Sequence, residues 1–291
     1  MFFYRKERRI GGIFLSSLSI FFLERKKMRE FLYKKTLYNQ SVLKIFLHLV
    51  SIIMAQERKI LLGLTTTPGS DWKEKTNEIV KYNLKEVALF PTFLKIKDRK
   101  KLYQLLEKTP LQNIPHVHLR DDMEDWEIKY FLKKYKTQVF NIHSKEKDAL
   151  YLEKNPSLSS RFFVENADIL PKSFFELVER CGGVCLDVSH FYDFGVLQKE
   201  KTYQGFLEFL KKTKVGCCHI SAIQENPTVQ TNLGSGKKTI AYSKHFLHKL
   251  TELNYVREYR SYLPEIISIE LENSFEEQLE FKEYLRKNIF D

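Results

Sequence analysis

From residue 59 onward the chain alternates eight short apolar runs with polar or amphipathic stretches, and this alternation constrains its fold more than any other feature. The runs occupy 59–64, 86–90, 114–119, 138–142, 161–165, 183–187, 215–219 and 266–271. Near-continuous apolar runs of this length read as strands buried on both faces. The stretches between them carry a helical period, as in Trp72, Ile79, Val80 and Asn83, or Phe206, Phe209 and Leu210. Helix-start chemistry agrees: Ser70-Asp71 precedes Trp72, Asp121-Asp122 precedes 123–135, and Ser274 precedes 275–286. Strands alternating with helices predict a parallel sheet. Eight such units predict an α/β chain closed as a (β/α)8 TIM barrel, whose usual size is about 250 residues. A doubly wound open sheet fits less well, because Thr65-Thr66-Thr67-Pro68-Gly69 follows the first run where a Gly-x-Gly-x-x-Gly turn would be needed.

Composition narrows the class. With 43% hydrophobic residues, 11 Gly and 8 Pro, the chain is neither disordered nor collagen-like. Its four cysteines (Cys181, Cys185, Cys217, Cys218) are too few for a disulfide framework and point to a reducing, cytoplasmic setting. The net charge of +11 is concentrated at the front. Residues 1–53 hold 11 Lys/Arg and 3 Asp/Glu, which leaves 37 basic and 34 acidic side chains for 54–291. A body of +3 does not describe a nucleic-acid-binding surface, so no such partner is expected.

Residues 1–53 differ in kind. Their apolar runs, 13–23 and 42–53, are too short for a stable membrane span. The order of a basic cluster followed by an apolar run resembles a secretory signal, but Glu24-Arg25-Lys26-Lys27 stands where a small-residue cleavage site would be required. Met54, followed by Ala55-Gln56-Glu57-Arg58 and then a strand, reads as a start. The expected organisation is a non-barrel N-terminal extension at 1–53, either a start placed too early or a weak hydrophobic segment, and a barrel over 54–291.

In such a barrel the chemistry sits at the carboxyl ends of the strands. Here those ends carry His116-Val117-His118, Asn141-Ile142-His143, Glu165-Asn166, Asp187-Val188-Ser189-His190, His219, and Glu270-Leu271-Glu272-Asn273. Five of the eight histidines fall in these windows. One strand-end His alone would read as a hydrogen-bonded core residue. A carboxylate facing the inside of a closed barrel, however, must be paired or metal-bound to offset its desolvation. Arg120 is the single basic residue near these ends, so Glu165, Asp187 and Glu270, with His219, lack an obvious cationic partner. A divalent ion would supply one, and oxygen and imidazole ligands suit Mn, Zn, Co or Mg alike.

The order of these groups resembles the xylose isomerase-like superfamily of TIM barrels, over residues 59–291. That superfamily includes sugar and sugar-phosphate isomerases and epimerases and the endonuclease IV type of apurinic-site nuclease. The resemblance implies that Glu165, Asp187, His219 and Glu270 form a shared metal quartet. It also implies that Glu165 and Glu270 move a substrate proton as general base and acid. The nuclease branch adds ligands, of which Pro115-His116, His143 and His190 match. Thr228 and Gln230 stand where its Asp-x-His precedes the Leu-Gly-x-Gly turn, here 233–236, so a complete three-metal cluster is not expected.

The expected activity is therefore divalent-metal-dependent isomerisation or epimerisation of a sugar or sugar phosphate through an enediolate. The alternatives are an apurinic-site nuclease with an incomplete cluster and a non-catalytic barrel that binds a small molecule. His190 would polarise a substrate oxygen, while His116, His118 and His143 would line the pocket or hold a second ion. His116 and His118, two apart on a strand, would face the same side. Cys217-Cys218 beside His219, and Phe191, Tyr192 and Phe194 after His190, read as packing residues. Lys237-Lys238 read as a solvated pair, although they could hold a phosphate. The stretch 220–239 reads as the longest loop, suited to a lid. Homo-oligomerisation is left open.

Overall fold

The computed structural model describes residues 58–231 and 238–290. The expected extension at 1–53, the turn at 233–236 and Lys237 lie outside them. Nine parallel strands form the main sheet: β1 (Lys59–Leu61), β2 (Gly63–Thr65), β3 (Ala88–Phe90), β4 (His116–His118), β5 (Val139–Ile142), β6 (Phe162–Glu165), β7 (Val184–Asp187), β8 (Val215–Ile220) and β11 (Ile266–Ile269). Their spatial order is β1-β11-β8-β7-β6-β5-β4-β3-β2. Only Leu62 separates β1 from β2, and the two pair outward in opposite directions, β1 with β11 and β2 with β3. They are halves of one stave, so the sheet curls into an eight-staved parallel barrel closed but for that one-residue break.

Helices α1 (Trp72–Lys81), α2 (Ile96–Leu106), α3 (Asp125–Lys134), α4 (Glu146–Lys154), α5 (Lys172–Val178), α6 (Phe206–Leu210) and α7 (Phe275–Leu285) lie between or after the strands. The side chain of Asp71 accepts from the Glu74 N–H, and Ser274 forms a capping box with Glu277, as the sequence implies. The start of α3 differs: Glu124 caps it, in a reciprocal box with Glu127. Asp122 is drawn away instead by Arg99 and Arg120. Val80, counted in the apolar period of α1, faces outward.

The stretch expected as a loop is a two-stranded antiparallel ribbon, β9 (Ala222–Thr231) with β10 (Lys238–Lys244). Its cross-strand pairs include Val229 opposite Ile240, and pairing skips between Thr228 and Ile223. Pro227, which has no N–H to offer a ladder, falls in that gap. The ribbon follows directly from the carboxyl end of β8 and is tied to the turn after β7 by Asp193. Asp193 Oδ2 accepts from the N–H of Tyr242, the N–H of Ser243 and the hydroxyl of Ser243.

The apolar outer faces of the strands and the inner faces of the helices make the main core. A smaller cluster, which includes Leu61, Phe90, Phe163, Cys185, Cys217 and Ile266, is built from alternate strand residues. Among the described residues no helix is long and apolar enough to cross a membrane.

Candidate active site

Glu165 and Asp187 are the last residues of β6 and β7, His219 is the penultimate position of β8, and Glu270 follows β11 directly. Neighbouring parallel strands hold these positions in register: Asp187 lies beside His219, and His219 beside Ser268. The four side chains therefore meet inside one end of the barrel. His219 Nδ1 lies 3.2 Å from Glu270 Oε2, 3.6 Å from Glu165 Oε2 and 3.8 Å from Asp187 Oδ2. All four residues are buried. Asp187 Oδ2 and His219 Nδ1 are buried without a hydrogen-bond partner among the described residues.

Each acid is also aimed by neighbours. Asp187 Oδ1 accepts from the hydroxyl of Ser189 and the N–H of His190, which fixes its other oxygen toward the centre. Glu165 Oε2 accepts from Asn141 Nδ2 at 2.5 Å and lies 3.0 Å from His118 Nε2. The backbone N–H of Glu270 donates to Ile220 O, continuing the β8–β11 ladder by one residue. Among the described residues, the cationic partners of these three acids are histidines, and Arg120 instead contacts Asp122 and Thr92 O.

The electrostatics follow from this packing. Burial disfavours charge on every member, yet the mutual attraction wins. Glu165 is held well below its ordinary value by His219 and His118, and Asp187 is lowered by His190 and His219. Glu270 is lowered by His219 and His245. Against its own burial, His219 is raised well above its ordinary value by Glu165 and Glu270, and His118 is raised chiefly by Glu165.

The remaining expected residues fall in three places. His190, in the turn after β7, lies 3.8 Å from Asp187 Oδ2 and 3.4 Å from Asp168 Oδ1. Despite burial, these two acids push it up to about 9. His118 and His143 pack edge to face beside Glu165, and burial pushes His143 down to about 4. His116 faces the interior but lies deeper, between Ser268 and Asn141. Phe191 and Phe194 are core residues, with Phe194 stacked on His190. Cys218 faces the main core, whereas Cys217 faces inward on the same side as His219. Thr228 is exposed on the ribbon, and Gln230 falls on the same strand.

Two contributors escape the strand-end reading. His245 lies just past β10, with Nδ1 3.2 Å from Glu270 O and 4.0 Å from Glu270 Oε1. No sequence signal places a residue after a ribbon beside the last strand. Cys185, whose Sγ is 3.4 Å from His219 Nε2, could have been found from its alternation with Asp187 on β7.

Fold and site together define a (β/α)8 TIM barrel that gathers acids and imidazoles at the carboxyl end of its strands. The chain is similar to a solved structure described as a xylose isomerase-like TIM barrel protein from Mycobacterium smegmatis in complex with magnesium. The two share 10% identity, over 79% of this chain and 97% of that chain, with a TM-score of 0.41. No family model and no curated protein matches the chain.

Proposed function

We propose that this barrel is a divalent-metal-dependent isomerase or epimerase of a sugar or sugar phosphate, moving a carbon-bound proton through an enediolate. The observation that carries the reading is the convergence of three buried carboxylates on His219 Nδ1, with that nitrogen and Asp187 Oδ2 both lacking a hydrogen-bond partner among the described residues. Buried polar atoms without partners are costly, and here they belong to a hard-oxygen and imidazole set that suits Mn, Mg, Co or Zn. Glu165, Asp187, His219 and Glu270 would hold the ion, which when bound supplies Lewis acidity toward adjacent substrate oxygens.

The chain's own residues account for the proton. Glu165 and Glu270 are kept ionised by their imidazole neighbours and can each accept a proton from carbon. His118 and Asn141 fix the direction of the Glu165 carboxylate. His190, protonated up to about 9 and partly open to solvent, can donate a hydrogen bond to a substrate oxygen. His143, neutral above about 4, can orient a sugar hydroxyl.

The test is solvent-proton exchange. A panel of aldoses, ketoses and their phosphates is incubated with the protein in heavy water, with Mn²⁺ or with a chelator, and carbon-bound deuterium is read by mass spectrometry. Metal-dependent incorporation, reduced about 10²–10⁴-fold in Glu165→Gln and Glu270→Gln, is expected for loss of a general acid or base. Metal binding with no exchange on any member of the panel would refute the reading.

A further inference from the structure

We propose that His116, Cys185 and Cys217 form a second, thiolate-rich site in the barrel interior that takes a thiophilic divalent cation of the zinc class. The three residues come from β4, β7 and β8, and one ligand atom from each lies within 4.8 Å of the others. All three are fully buried. Cys185 and Cys217 are register partners on adjacent parallel strands, so both sulfurs project to the same interior face.

The hydrogen bonding fixes the tautomer of His116. Asn141 Nδ2 donates to Glu165, so Asn141 Oδ1 is the atom that meets His116 Nε2 at 3.0 Å. An amide oxygen only accepts, so Nε2 carries the ring proton and Nδ1 carries the lone pair. That lone pair meets the Ser268 hydroxyl at 2.7 Å, a bond the hydroxyl can give up by rotating. A ligating imidazole whose other nitrogen donates to a fixed acceptor is the arrangement that tunes and orients metal-binding histidines. Ser268 Oγ, 2.7 Å from that nitrogen, is the oxygen beside it.

Charge and softness set the ion. The surrounding cluster is apolar, with Leu61, Phe90, Val139, Phe163 and Ile266 as its larger members. Two thiolates and a divalent cation sum to zero, the condition under which charge can be buried there. Binding releases the two thiol protons to solvent, and sulfur with imidazole selects zinc over magnesium or manganese. The carboxylate cluster, with three oxygen ligands and one imidazole, does not select in this way. His219 separates the two, with Nδ1 toward Glu270 and Nε2 3.4 Å from Cys185 Sγ.

Cobalt(II) reads the two sites apart, because only sulfur ligands give the near-ultraviolet thiolate-to-cobalt charge-transfer absorption. The full chain, reduced, stripped with chelator and titrated anaerobically with cobalt, should develop that band. Glu270→Gln should keep it, and Cys185→Ala and Cys217→Ala should each weaken cobalt binding at this site at least tenfold. The wild-type measurement stands even if a cysteine variant fails to fold. Cobalt binding without the band, a band unchanged in both cysteine variants, or a Cys185–Cys217 disulfide in protein purified without zinc would overturn the proposal. Failure of the sugar-exchange assay would leave it standing, since its readout needs no turnover.

Discussion

His219 Nδ1 sits 3.2 Å from Glu270 Oε2 across adjacent staves of the barrel, and the same nitrogen faces two further carboxylates. The carboxylate oxygens and this nitrogen converge as donors for a single ion. A cation that binds only the folded state therefore stabilises it by mass action, by about 2.7 kcal/mol at a hundredfold excess over Kd. Added Mn²⁺ should raise the melting temperature of wild-type protein by several degrees. In Glu165→Ala the shift should vanish while the metal-free variant still unfolds cooperatively. Differential scanning calorimetry with and without chelator checks both, and an equal shift in the variant would count against the shared cation.

Asp148 offers a pH test away from the site. It is buried in α4, its Oδ2 has no hydrogen-bond partner among the described residues, and burial pushes its carboxyl up to about 6. The folded value lies above the unfolded one, so the unfolded state releases this proton first as pH rises. The contribution to stability is full below about pH 4 and is lost as pH climbs through about 6. At about 1.4 kcal/mol per pH unit, the loss is roughly 3 kcal/mol. Asp148→Asn should match wild type near pH 4 and exceed it by about that amount at pH 8, measured by urea unfolding at both values.

The barrel was legible because its strands are buried on both faces, which writes them as unbroken apolar runs. The acids and imidazoles that interrupt those runs at the carboxyl ends stood out for the same reason. Less was legible where a feature depends on contacts distant in sequence. Nothing local marks Leu62 as a break between two pairings, since β1 and β2 answer to different partners. The ribbon escaped because β9 alternates weakly and contains Pro227, and it is tied down by Asp193, about 50 residues from Ser243. The true cap of α3 was hidden by the nearby Asp121 and Asp122, of which Asp122 is taken by Arg99. Cys217 reads as packing in the sequence, and only register across β7 and β8 puts it with Cys185 beside His116.

The closure at Leu62 depends on a residue without a side chain. Gly63 donates its N–H to Gln278 Oε1 at 2.7 Å, and its carbonyl accepts from Gln278 Nε2 and Lys75 Nζ. A Cβ at that position would run into the carbonyl oxygen of Ile269 on the last stave. Backbone cannot yield as a flexible side-chain tip can, so the first stave must move and these bonds lengthen. Gly63→Ala should cost at least about 3 kcal/mol, at the upper end for overpacking, read as a lower urea midpoint. A variant within about 1 kcal/mol of wild type would mean the seam is looser than described.

Asp193 should decide whether the ribbon holds its place. The residue is fully buried; its Oδ2 accepts three hydrogen bonds from Tyr242 and Ser243, and its Oδ1 accepts from Gln198 Nε2 at 2.7 Å. Gln198 also donates to Ile240 O, so the turn after β7 meets β10 at two points. Asp193→Ala removes the acceptor and leaves two backbone N–H groups to find water, a change worth about 1–3 kcal/mol for each buried group stranded. The barrel strands make none of these bonds. Amide exchange should therefore accelerate at least tenfold across β10 while β5, β6 and β7 stay protected, the pattern of local rather than global opening. Uniform acceleration across the barrel would instead make Asp193 a residue of the whole fold, and unchanged exchange in β10 would mean that ladder pairing with β9 alone suffices to hold the ribbon.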